Sequence, residues 1–150
     1  MANFPASRIA LLAFLALSNV ALAQDARRYI EPRTAADSSR PPYSGAVQIG
    51  NTLYLSGDTG VDGTETAPLT AEAEARAVLD RIAARLKAAG FSMDDLVFVQ
   101  VFCSDVSHYD TFNRVYRTYF KQEFPARAFL GSGTLLFNAR YEVQGIAVKR

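Results

Sequence analysis

The sequence predicts one α+β domain, built on a mixed β-sheet of five to six strands with two helices on one face. Three observations lead there. The 150-residue chain has the length of one domain. Two segments carry apolar residues at helical spacing, while several short β-branched and aromatic runs carry strand patterning. Hydrophobic residues make up 49% and charged residues 21%, the balance of a chain that buries a core.

The N-terminal 23 residues read separately. Arg8 is the only charge before Asp25, an apolar run covers Ile9 to Leu17, and Ala21-Leu22-Ala23 is a small-x-small end. This is the pattern of a secretory signal peptide cleaved after Ala23, which implies a periplasmic or secreted protein. The run is short of the roughly 20 residues that span a bilayer, so no stable membrane anchor is expected. The domain is then 24–150.

Residues 24–42 mix charge, Ser and Pro and read as an arm with a short strand at Arg28 to Glu31. Gly45 to Ile49 and Leu53 to Ser56 read as strands joined by a Gly50-Asn51 turn. Ser56 to Ala67, with Asp62-Gly63, reads as a loop. Thr70 caps a helix that has Glu72 and Glu74 in its first turn, where acids suit the helix dipole. Its stripe is Ala75, Val78, Leu79, Ile82 and Leu86, and Gly90 ends it. Leu96 to Cys103 is a strand. Ser107 and Asp110 resemble a capping box for a second helix with the stripe Phe112, Val115, Tyr116 and Tyr119. Ala126 to Leu130 and Tyr141 to Val148 close the order ββαβαββ. Leu96 to Cys103 is apolar at both parities, which predicts burial on both faces. Two helices cover only one face, so a second subunit is expected on the other.

Charge excludes some functions. Lys and Arg total 16 against 15 acids; removing residues 1–23 takes one Arg and no acid, leaving 15 against 15. No basic stripe for nucleic acid stands out. One Cys and one His make a zinc site unlikely from composition alone. Ser132, in Gly131-Ser132-Gly133, lacks the nucleophile-elbow spacing. Cys103 ends an apolar strand and reads as packing, and His108 reads as a solvent-facing residue. Arg127 and Glu142 remain. A planar guanidinium suits bidentate capture of a carboxylate or phosphate, against the bland reading of a solvated or paired surface Arg. Glu142 opens an apolar strand, where a carboxylate could orient or deprotonate a water; the alternative is a salt bridge to Arg140 or Arg127.

Several segments resemble one family in order along the chain. They are Pro42-Tyr43-Ser44-Gly45-Ala46-Val47, Leu55-Ser56-Gly57, Phe112-Asn113-Arg114-Val115-Tyr116 with Phe120, Phe124-Pro125-Ala126-Arg127, and Tyr141-Glu142-Val143-Gln144-Gly145-Ile146-Ala147-Val148. Together they resemble the RidA (YjgF/UK114) family. The resemblance implies a homotrimer of chorismate-mutase-like form, with the sheets in a central barrel and ligand clefts between subunits. It implies hydrolysis of 2-aminoacrylate-like enamines and 2-imino acids to 2-keto acids and ammonia, without metal or cofactor. Arg127 would hold the substrate carboxylate and Glu142 would activate water. Tyr43, Ser56, Gly57 and Asn113 would line or support the cleft, joined by Phe129. The chain departs from the family's pattern at Asp58, where Gln is common, at Gly45, and at Phe129, where Cys or Thr is common. A non-catalytic ligand-binding or interaction trimer is the alternative reading. A ribonuclease, a label some members carry, is disfavoured by the neutral charge and the lack of a His pair.

Overall fold

A computed structural model describes residues 26–31, 39, 41–61 and 70–150. The expected signal peptide and the Asp62-Gly63 loop lie outside the described residues.

The described chain forms six strands and two helices. They are β1 (Arg28–Ile30), β2 (Ala46–Ile49), β3 (Thr52–Thr59), α1 (Ala71–Ala89), β4 (Leu96–Cys103), α2 (Tyr109–Tyr116), β5 (Ala126–Gly131) and β6 (Tyr141–Val148). The sheet order is β1-β2-β3-β6-β4-β5. All ladders are antiparallel except β4 with β5, which α2 joins as a crossover. The expected mixed sheet with two helices is therefore present.

The expected barrel is not. The sheet is open: β1 and β5 are its edges, each with a single neighbour. Closure would need those two strands to pair, and β1 is only three residues long. Within the single chain β4 is covered on one face only, the face the helices reach. Val99, Val101 and Cys103 of β4 are buried under the helices, whereas Phe98, Gln100 and Phe102 alternate with them and stay half-exposed. Period-two alternation in β4 separates the two sets of residues, and the second set forms the face on which another subunit is expected. On this bare face Phe98 pairs with Ile146, and Gln144 Nε2 donates to Gln100 Oε1 at 2.6 Å.

α1 forms for the reasons its sequence suggests. Thr70 accepts from the Ala73 N–H, and Gly90 (φ 85°) closes the helix in the left-handed region. Val78, Leu79, Ile82 and Leu86 are buried against the sheet, each burial worth about 1.5–3 kcal/mol. Glu74 differs from expectation. It is fully buried and accepts from the Arg140 and Tyr141 backbone N–H groups, while Arg140 Nη1 pairs with its second oxygen at 2.6 Å. Its position four residues before Val78 puts it on the apolar stripe, a signal that the helix-dipole reading overlooked.

Two boundaries move. β3 runs on to Thr59, past a register irregularity between Leu55 and Asp58, because the extra residue is absorbed as a bulge rather than ending the strand. The Ser107 capping box is absent: Asp105 accepts from the Ser107 N–H and caps a short 3-10 turn, Val106–His108, from which α2 continues.

Candidate functional site

The predicted residues fall into two groups on two clefts. Arg127 stands on β5 opposite Val99 of β4, so it faces α2. Its Nη2 donates to Asn113 Oδ1 at 2.6 Å, placing both predicted residues together. Its guanidinium carbon lies 4.6 Å from the Tyr116 ring centre and 5.8–6.0 Å from those of Phe129, Tyr109 and Phe112. Cation–π contact of this kind holds a guanidinium without neutralising it. Arg127 has no carboxylate partner among the described residues, so the paired-surface reading does not describe it. A cleft of about 190 Å³ opens beside it, lined by Asn113, Tyr116, Arg117, Phe124, Pro125 and Arg127. Phe129 belongs to the ring packing, edge-on to Tyr109 at 5.0 Å, and is not part of that lining.

Tyr116 was read only as core. It is buried, its hydroxyl has no hydrogen-bond partner, and its pKa is pushed up to about 12, chiefly by burial, with the Arg127 charge pulling the other way. Its i+3 spacing from Asn113 is the available signal that both face one place.

Glu142 belongs to the other group. It opens β6, paired with Phe102 and Thr59. The Arg140 guanidinium pairs with Glu74, and the ion pairs seen among the described residues do not include Glu142. Gly57 lies directly against it: a Cβ at Gly57 would sit 2.1 Å from Glu142 Oε1, so only glycine leaves the carboxylate in place. Ser56 supports this edge, donating from Oγ to the Ser44 carbonyl at 2.7 Å while its N–H donates to Gly45. Tyr43, half-exposed, precedes that segment. A cleft of about 530 Å³ is lined by Tyr43, Gly57, Asp58, Arg85, Phe137 and Glu142, among others.

Asp58 does not add a loose charge there. It pairs with Arg85 of α1 at 2.6 Å, and Arg85 also reaches Glu31 at 3.3 Å. Sequence reading had no role for Arg85 or Phe137, because neither lies in a recognisable motif. Cys103 is buried, with its pKa raised mainly by burial. His108 stacks edge-on to Tyr141 at 6.2 Å, so it is less solvent-facing than expected. Ser132 hydrogen-bonds the Cys103 carbonyl. Among the described residues there is no cluster of three His, Cys, Asp or Glu fit for a metal, and no helix long and apolar enough to cross a membrane.

The fold defines a small α+β domain with Arg127 and Glu142 on sheet strands beside separate clefts. Residues 34–149 match the family model described as Endoribonuclease L-PSP. The chain is 35% identical over 124 residues to the 2-iminobutanoate/2-iminopropanoate deaminase of Mus musculus, covering 81% of this chain and 92% of that one. It is 36% identical over 111 residues to the deaminase of the same name from Homo sapiens, covering 72% and 80%. Among solved structures, the YjgF gene product of E. coli matches with a TM-score of 0.69 at 34% identity, over 73% of this chain and 89% of that one. E. coli TdcF with bound serine matches with a TM-score of 0.70 at 29% identity, over 74% and 91%. The chain belongs to the RidA (YjgF/UK114) family.

Proposed function

We propose that this protein hydrolyses reactive 2-imino and enamine acids to 2-keto acids and ammonia, with Arg127 binding the carboxylate and Glu142 activating water. The observation that carries the site assignment is Arg127, a charged guanidinium held by Asn113 and four rings with no acid partner among the described residues. The named relatives are deaminases of this type, and one structural relative holds serine, itself a carboxylate. The imine carbon is already electrophilic, so the protein needs only to fix the substrate, place a water and exclude solvent. Tyr43, Ser56 and Gly57 shape the Glu142 side, and Asn113 and Phe129 the Arg127 side.

Arg127 and Glu142 occupy separate clefts of one chain, which favours a homotrimer whose subunit contacts bring the two halves together. In the same reading residues 1–23 are a signal peptide removed after Ala23 and the protein is exported; N-terminal sequencing of the secreted or periplasmic form should begin at Gln24. A ribonuclease reading has less support, since the chain has a single His, His108, which packs on Tyr141.

The test generates 2-iminopropanoate in situ with an amino-acid oxidase and traps what survives with semicarbazide. The protein should lower the trapped fraction. Failure to consume any imino acid, combined with 2-keto acid binding that needs Arg127, would replace the enzyme by a non-catalytic ligand-binding trimer.

A further inference from the structure

We infer that the Leu136–Phe137 turn is a specificity wall, selecting 2-imino acids with bulky apolar side chains, aromatic ones first. This rests on the deaminase reading above and names its substrate class. Both residues line the cleft that holds Glu142. Both are large and apolar yet 70% and 54% exposed in the single chain, so they present an apolar surface to whatever occupies the cleft. The turn is also held in an unfavourable shape. Phe137 has a φ of 58°, a region that bulky L-residues avoid. Strain of this sort persists where the surroundings fix it and tends to occur at ligand sites. The Ala139 N–H donating to the Leu136 carbonyl, and the burial of Ala139, do the fixing.

The opposite wall argues against a charged side chain. Arg85 pairs with Asp58 and Glu31 through Nη2, and its Nη1 is buried without a hydrogen-bond partner. Arg81 is likewise engaged. Among the described residues the two cations that line this cleft, Arg81 and Arg85, are already engaged, while Tyr43 and Phe137 offer rings. A methyl side chain would use little of about 530 Å³, a volume typical of clefts for larger ligands.

The experiment measures binding of three stable 2-oxo acids to the assembled full-length protein by calorimetry: phenylpyruvate, pyruvate and 2-oxoglutarate. Turnover of the imino acids formed from phenylalanine and alanine is measured in parallel. Phenylpyruvate should bind at least about tenfold tighter than pyruvate, the scale on which apolar pockets discriminate, and kcat/KM should follow. Phe137→Asn suits the positive φ and removes the ring, so the phenylpyruvate-to-pyruvate ratio should fall toward one. Phe137→Gly should give the same result and guards against a folding effect of Asn. Equal binding of the first two acids by wild type, a ratio unchanged in both variants, or 2-oxoglutarate binding as tightly as phenylpyruvate would overturn the inference. If the ratio appears but no imino acid is consumed, the deaminase reading fails and the wall stands. If both imino acids are consumed equally well, the wall fails and the deaminase reading stands.

Discussion

Arg127 and Glu142 lie on opposite faces of the same sheet. Arg127 pairs with Val99, which is buried beneath the helices, while Glu142 alternates with the buried Val143 and so faces the other way. One small substrate cannot bridge them within a single chain. Mixing Arg127→Ala with Glu142→Gln protein, under conditions that exchange subunits, should therefore restore activity that neither variant shows alone. Random assembly in a closed ring pairs an intact Arg with an intact Glu at about a quarter of sites, so about that share of wild-type rate is expected. No recovery despite proven exchange would place both groups in one subunit.

Arg127 substitutions should separate charge from geometry. Arg127→Ala should lower kcat/KM by roughly 10- to 100-fold, the equivalent of losing a charge-assisted hydrogen bond of about 1.5–3 kcal/mol. Arg127→Lys should also impair turnover, because a point charge cannot make the two-pronged contact. Steady-state kinetics on variants shown to keep their secondary structure by circular dichroism would decide.

Gly57→Ala should damage catalysis more than folding. The added methyl meets Glu142 Oε1, and no positive φ stands in the way of an Ala at this position. The expected signature is a fall in kcat with 2-keto acid binding at Arg127 retained. Unchanged kcat would remove Glu142 from the water-activating role or show that it has room to move.

Glu74→Ala should destabilise by about 3 kcal/mol, the low end for a broken buried pair because Arg140 is part-exposed. Two backbone N–H groups at the start of β6 lose their acceptor at the same time. Urea unfolding at neutral pH measures this directly.

Tyr116→Phe should be harmless at neutral pH and protective at high pH. The hydroxyl has no partner, so its loss costs no hydrogen bond. Its pKa rises from 10.0 to about 12 in the folded state. The stability linked to it is thus fully present below pH 10.0 and lost as pH rises through about 12. Urea midpoints at pH 8 and pH 11 should converge for wild type and variant at the lower value and separate at the higher, with the variant more stable.

Much of the architecture was legible because it rests on local rules. The Thr70 cap, the Val78–Leu86 stripe and the Gly90 stop are set by neighbouring residues, and all six strands lie where runs of strand-forming residues stand. What escaped depends on residues far apart in sequence. Glu74 reads as a dipole acid until Arg140, 66 positions on, is seen beside it. Asp58 reads only as a departure from the family's usual Gln until Arg85 arrives from another element. The barrel came with the family resemblance and not from a reading of the residues; edge pairing decides whether a sheet closes, and β1 and β5 do not pair. In the candidate site, Arg127 with Asn113 and Glu142 with Gly57 were legible as residues, but their division between two clefts needed the strand register.

The Gln100–Gln144 bond in the middle of the bare face has a consequence for recognition. Greasy surface decides how firmly two bodies adhere; amides set in it decide which bodies are admitted. Each Gln retains hydrogen-bonding capacity after satisfying the other. A purely oily visitor would strand those groups away from water. A body that covers this face must therefore offer polar atoms to the remaining amide groups or leave them unsatisfied.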